Sequence, residues 1–194
     1  MNKTISQTLS SVLLILLLGG CSLSQDQSHP QAWLKRGVKV TLPAPTLSTP
    51  LHHQQLLTAT VKGKQQSLLV MLDADGQKIT LAALSPVGVR LFKVTYDTLG
   101  VHTERSIVVP ELPPAEQVLA DIMLSYWPIS DWQTQLPEGW LLLDSDEKRM
   151  LTDAKGEPIS EILYQTLNDK REPVMIIQHY FNYQISVQNV DNPS

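Results

Sequence analysis

The chain has 194 residues and a formal net charge of −4, with 15 Lys and Arg against 19 Asp and Glu. That length suits a single domain with its own apolar core; a composition of 42% hydrophobic and 18% charged residues excludes bulk disorder, and the acidic balance disfavours a phosphate-reading surface, so no nucleic-acid partner is expected. One cysteine excludes an internal disulfide and any multi-cysteine metal site, and 13 prolines exclude a fold dominated by long helices.

Residues 1–11 carry Lys3 and no acid, residues 12–18 are an unbroken apolar run, and Gly19-Gly20-Cys21 follows. A charged start, a short apolar stretch and small residues before a cleavage point are the layout of a secretory signal peptide. The run is well short of the ~20 residues that a spanning helix needs. Leu18-Gly19-Gly20-Cys21 resembles the lipobox of bacterial lipoproteins. That resemblance implies removal of residues 1–20 and acylation of Cys21, palmitate included. Ser22, rather than Asp, then implies sorting to the outer membrane, facing the periplasm. Residues 21–32 read as a lipidated, flexible tether, and residues 33–194 as one domain.

Residues 33–57 read as a transition, with a Pro-rich strap at 42–50 lying on the domain in extended backbone. Short strands with tight turns follow. Residues 56–62 and 65–72 flank Gly63; 68–72 and 78–84 flank Asp73-Ala74-Asp75-Gly76; 89–96 and 101–109 flank Asp97-Thr98-Leu99-Gly100. Asp-Gly between such runs is a hairpin signal, so these five strands form an antiparallel meander. Pro113-Pro114 then opens a helix over 115–127 that Pro128 stops. Its polar stripe is Gln117, Asp121 and Ser125; Val118, Leu119, Ile122, Met123 and Tyr126 fill the other face. Strands at 140–144, 149–152, 159–166, 174–181 and 184–190 complete the chain. Strands, one central helix, then strands, without βαβ alternation, predict a mainly β (α+β) fold. Its expected form is a strongly curved antiparallel sheet with the helix on its mouth or concave face.

Catalytic motifs are scarce: neither a nucleophile elbow, nor a phosphate loop, nor a His-Glu-x-x-His zinc motif occurs. No cofactor or metal is expected. His52 and His53 are adjacent and read as solvated strap residues. Asp73 to Gly76 lacks an acid at the twelfth position, which is Leu84, so it reads as a hairpin turn and not a calcium loop. Asp144, Asp146 and Glu147 read as a solvated turn. What remains is apolar surface. Phe92, Val94 and Tyr96 share one face of their strand, and Leu69 and Met71 lie opposite Leu68, Val70 and Leu72. With Leu119, Ile122, Met123, Tyr126 and Trp127 from the helix, these residues are the candidates for an apolar ligand cavity. A core packed beneath a helix accounts for the same pattern.

Leu81-Ala-Ala-Leu-Ser-Pro-Val-Gly-Val-Arg-Leu-Phe92 places a Ser-Pro-Val-Gly turn between two strands. It resembles the strand–Ser-Pro-Leu-Gly–strand segment of the outer-membrane lipoprotein receptor LolB. Gly88-Val-Arg-Leu-Phe92, Tyr96-Asp97, Leu119-Ala-Asp121, Trp127-Pro128, Gly139-Trp140 and Arg149 are, in that order, similar to a LolB-like lipoprotein family found beside aryl-polyene lipid enzymes and a LolA-like carrier. The resemblance spans most of residues 54–190. It implies an open half-barrel of about eleven strands with a helical lid around an apolar pocket, and no catalysis. It implies a periplasmic LolA-like carrier as partner and a lipid or lipoprotein cargo. Val87 matches the position that helps insert cargo into the membrane, although LolB carries a bulkier Leu there and the Pro-rich strap departs from LolB. An adaptor lipoprotein that only binds a protein partner is the alternative; a lipid hydrolase ranks last, for want of a nucleophile–base pair.

Overall fold

The computed structural model describes residues 29–106 and 113–190. Residues 1–28, with Cys21 and most of the expected tether, and the end of the strand expected at 101–109 lie outside the described residues.

Among the described residues, twelve strands and two helices follow in order. A small hairpin comes first, β1 (Gln31–Lys35) and β2 (Val38–Thr41). The first meander is β3 (Leu51–Val61), β4 (Lys64–Ala74), β5 (Ile79–Leu84), β6 (Arg90–Asp97) and β7 (Gly100–Arg105). Helices α1 (Ala115–Tyr126) and α2 (Ile129–Gln133) precede the second meander, which is β8 (Leu141–Asp144), β9 (Lys148–Thr152), β10 (Pro158–Leu167), β11 (Lys170–Gln178) and β12 (Tyr183–Asn189). Ten strands form one open, curved antiparallel sheet in the order β7-β6-β5-β4-β3-β12-β11-β10-β9-β8. The two meanders therefore meet at a single seam, β3 against β12, and β7 and β8 are the free edges.

The turns follow the residues that demand them. Asp75 Oδ1 accepts the N–H groups of Gln77 and Lys78, at 2.8 and 2.9 Å, which closes the β4–β5 turn. Asn168 and Asp169 both take positive φ, the requirement of the tight turn between β10 and β11. Strand β11 starts at Lys170 and not at 174, because Pro173 sits opposite a register shift at Leu163/Tyr164, where a missing N–H is tolerated.

Two expectations at the N-terminal side are corrected. Gln31 and Ala32 are not tether but part of β1, and Ala32, Leu34, Val40 and Leu42 are buried. Lys35 donates to Asp153 at 2.7 Å, tying this hairpin to the β9–β10 turn and holding the Asp153 carboxyl below the usual carboxylate range. His52 and His53 belong to β3, which starts at Leu51. Residues 43–50 do run as a strap on the domain: the Tyr96 hydroxyl donates to the Pro43 carbonyl at 2.8 Å, and Trp127 Nε1 donates to the Ala44 carbonyl at 3.0 Å.

Helix α1 lies in the concavity of the sheet and is buried nearly all round. Gln117, Asp121 and Ser125, expected on a polar outer stripe, are buried with Leu119, Met123 and Leu124. Tyr164 donates its hydroxyl to the Ser125 carbonyl at 2.7 Å. Trp132 of α2 is fully buried and donates Nε1 to the Met123 carbonyl at 3.2 Å. Trp127, Trp132, Leu151, Ile159 and Ile162 fill the space around the helix.

Candidate functional site

A cleft of about 1250 Å³ opens at the N-terminal end of α1. One wall is the β1–β2 hairpin, with Trp33, Lys39 and Thr41. The other is the β6–β7 turn and the start of β7, with Leu99, Val101 and His102. Pro113, Pro114, Glu116 and Gln117 form the floor, and Phe181 and Tyr183 close the end. The volume exceeds the roughly 300–1,000 Å³ of ordinary small-molecule sites. Aromatic faces alternate with amide and charged groups, a lining suited to an amphipathic ligand. Its one lysine and one glutamate oppose each other in charge.

Beneath the cleft, Asp121 is wholly enclosed. Its carboxylate accepts from Gln178 Nε2 and from the Tyr183 hydroxyl, both at 2.5 Å. Burial pushes the Asp121 carboxyl up to about 6, against the opposing pull of those hydrogen bonds. Burial and the adjacent Asp121 push the Tyr183 hydroxyl up as well. Amide and phenol partners hold this carboxyl in place without supplying an activated nucleophile, and structural networks shift pKa values as active sites do. A second polar group lies farther along α1, where His53 stacks on Tyr126 at 5.5 Å and stands 3.4 Å from the Glu172 carboxylate. His52 points the other way and pairs with Asp73 at 2.7 Å on the surface. Among the described residues, no group of three or more His, Cys, Asp or Glu is placed to share a metal ion.

The cavity candidates distribute differently from expectation. Val94, Tyr96, Leu119, Met123 and Trp127 are buried core, and Phe92 and Ile122 nearly so. Tyr126 is half-buried on His53. Leu69 and Met71 are turned away from the concavity, because Val70, Leu72 and Ala74 hold the inward positions of β4. None of the ten lines the cleft. Asp144 ends β8 beside the turn and is exposed, as read, and it also stands between two guanidinium groups, those of Arg149 and Arg171. The residues that do line the cleft come from segments read as tether, turn or strand end. Trp33 could have been found from the alternation Ala32-Trp33-Leu34-Lys35, and Leu99 from being apolar inside a turn.

Residues 52–191 match the model of a family described as "Protein of unknown function (DUF3261)". The chain belongs to the DUF3261 family. The match covers the ten-stranded sheet and the helices but stops short of the β1–β2 hairpin, so one wall of the cleft lies outside it. A search of curated proteins finds no match.

Within the matched region, Val87 stands at the tip of the β5–β6 turn and is 85% exposed. The turn is well fastened: Gly88 N–H donates to the Ser85 carbonyl at 2.8 Å, Val89 N–H to Ser85 Oγ at 3.2 Å, and Gly88 takes φ +83°. The turn therefore holds the Val87 side chain out in water.

Proposed function

We propose that this member of the DUF3261 family is an outer-membrane-anchored lipoprotein that receives a lipid or lipidated cargo from a soluble LolA-like carrier and passes it to the bilayer. The large mixed-polarity cleft on an open, helix-filled half-barrel carries this reading. Buried side chains pack around α1, and the seat assigned to the cargo is the cleft beside the helix. An acyl chain gains about 0.8 kcal/mol per CH₂ shielded from water, enough to draw a cargo downhill from carrier to acceptor to bilayer without a nucleotide. The LolB-like order of motifs supports the same role, with an aryl-polyene lipid as one cargo class. The reading assigns no catalysis to the chain. Anchoring rests on Gly19-Gly20-Cys21, and among the described residues no helix is long and apolar enough to cross a membrane.

Cys21→Ala tests the anchor and the seat together. The variant is expected to fold, to leave the membrane fraction in a high-salt wash, and to carry co-purified lipid visible by native mass spectrometry. Firm pelleting after the wash removes the lipoprotein reading, and a lipid-free protein removes the cargo reading. Edge strand β8 favours the adaptor alternative, because Leu141 and Leu143 are 56% and 59% exposed beside an unpaired backbone edge. A lipid-free cleft together with capture of a protein by that edge is the outcome that selects it.

Val87 is assigned contact with the carrier or the bilayer. Val87→Glu is expected to change stability by no more than about 0.5 kcal/mol, as for exposed sites, while slowing cargo delivery to vesicles several-fold. A large drop in melting temperature makes Val87 core, and normal delivery removes the role.

A further inference from the structure

The described chain begins inside the cleft. His29 and Pro30 line it, and the Leu42 N–H donates to the Pro30 carbonyl at 2.8 Å. That bond fixes Pro30, nine residues after Cys21 in sequence, beside the rim. Three other cleft-lining side chains stand there with the chemistry of a membrane surface. Leu99 is 74% exposed at the tip of the β6–β7 turn. The turn is fastened, since Asp97 Oδ1 accepts the Leu99 N–H at 2.8 Å and Gly100 takes φ +110°. Leu99 is therefore held out in water by design of the turn, with no core within reach. Trp33 is 43% exposed on β1, and Lys39, its partner across the hairpin, places Nζ 4.7 Å from the ring. Tryptophan prefers the headgroup level of a bilayer, and lysine the anionic headgroups beside it.

We propose that the rim formed by Leu99, Trp33 and Lys39 lies on the bilayer, so that the cleft opens towards the membrane. This rests on the proposed anchor at Cys21. Eight residues lead from Cys21 to His29, a reach of at most about 29 Å when fully extended. The tip at Val87 lies at the other end of β6, whose eight residues span about 26 Å. Laying Val87 on the membrane would stretch the tether almost completely, whereas laying Leu99 there leaves it slack. The Leu99 end is thus the bilayer face, and the Val87 end points to the periplasm, where a carrier arrives.

Bromine-labelled lipid reads this directly. The acylated protein is reconstituted in phosphatidylethanolamine–phosphatidylglycerol vesicles whose acyl chains carry bromine, and tryptophan emission is recorded. Trp127 and Trp132 are fully buried, and the Trp33→Phe variant isolates the Trp33 share. Bromine is expected to quench that share. Leu99→Glu should reduce the quenching at least threefold, Leu99→Ala less in the same direction, and Val87→Glu should leave it unchanged, all with the parent's melting temperature. An unquenched Trp33, quenching indifferent to Leu99→Glu, or quenching lost with Val87→Glu instead, overturns the proposal. The mass of the N-terminal peptide separates the two failures. Acylated Cys21 with unquenched Trp33 removes the docking face alone, whereas unacylated Cys21 removes the anchor and the docking face together.

Discussion

Arg149→Met is expected to destabilise the protein by about 2–5 kcal/mol, because two buried carbonyls each lose their donor at about 1–3 kcal/mol apiece. The residue is 5% exposed. Its Nη1 donates to the carbonyls of Leu124 and Trp127, at 2.8 and 2.7 Å, and its Nη2 to Asp144 at 2.6 Å. The two carbonyls close the C-terminal end of α1, where no basic residue of the helix itself is available and where the helix dipole favours a cation. Asp144 feels opposing effects: burial raises its carboxyl, but the hydrogen bonds from Arg149 and Arg171 prevail and hold it below the usual range. Methionine fills the volume and leaves both carbonyls without a donor. Urea denaturation checks the loss, which corresponds to a fall in melting temperature of roughly 10 °C for a domain of this size. Arg149→Lys should recover only a small part, because a single ammonium nitrogen lacks the spread of the planar guanidinium, whose two nitrogens reach the carbonyls and Asp144 separately. A loss under about 1 kcal/mol would sink this account of how α1 is held.

Asp121→Asn is expected to stabilise the protein near neutral pH and to flatten its stability between pH 4 and 7. The folded-state pKa of Asp121 is raised to about 6 from an ordinary 3.8. The folded protein therefore binds the proton more tightly than the unfolded chain does. Stability from this group is fully present below pH 4 and is lost as pH rises through about 6. The wild type should lose about 3 kcal/mol over that interval at 1.36 kcal/mol per pKa unit. Asparagine keeps the shape and an accepting oxygen for Gln178 Nε2, and removes the buried charge. Melting curves from pH 4 to 7 on both proteins decide it; parallel curves would show that Asp121 does not titrate in this window.

The fold was legible where local chemistry controls it. The Asp-Gly and Asn-Asp turns mark their hairpins, Pro114 and Pro128 bracket α1, and alternation in β6 points Val94 and Tyr96 inward as read. It was illegible where partners are distant. Asp121 looks like a surface residue until Gln178 and Tyr183, from the far meander, are brought to it. The start of β3 hides because its inward residues, His53 and Gln55, are polar. Gln55 Nε2 finds its acceptors only in Tyr126 and Asn189, each at 2.8 Å. The candidate site was the least legible part. Four separate segments build the cleft, none apolar enough to stand out, while the strongly apolar residues of β4, β6 and α1 went to core or to the outer face.

The seam between β3 and β12 has a kinetic consequence. Every other contact in the ten-stranded sheet joins strands adjacent in sequence, so each meander can assemble by zipping successive hairpins, with small loops to close at each step. The seam pairs Gln55 with Asn189 and Val61 with Tyr183, across more than half the chain. Closing it requires the largest loss of chain entropy in the molecule, and long-range pairings slow folding most. Among the described strands β12 comes last in sequence, so β3 stays an unpaired edge until β12 docks on it.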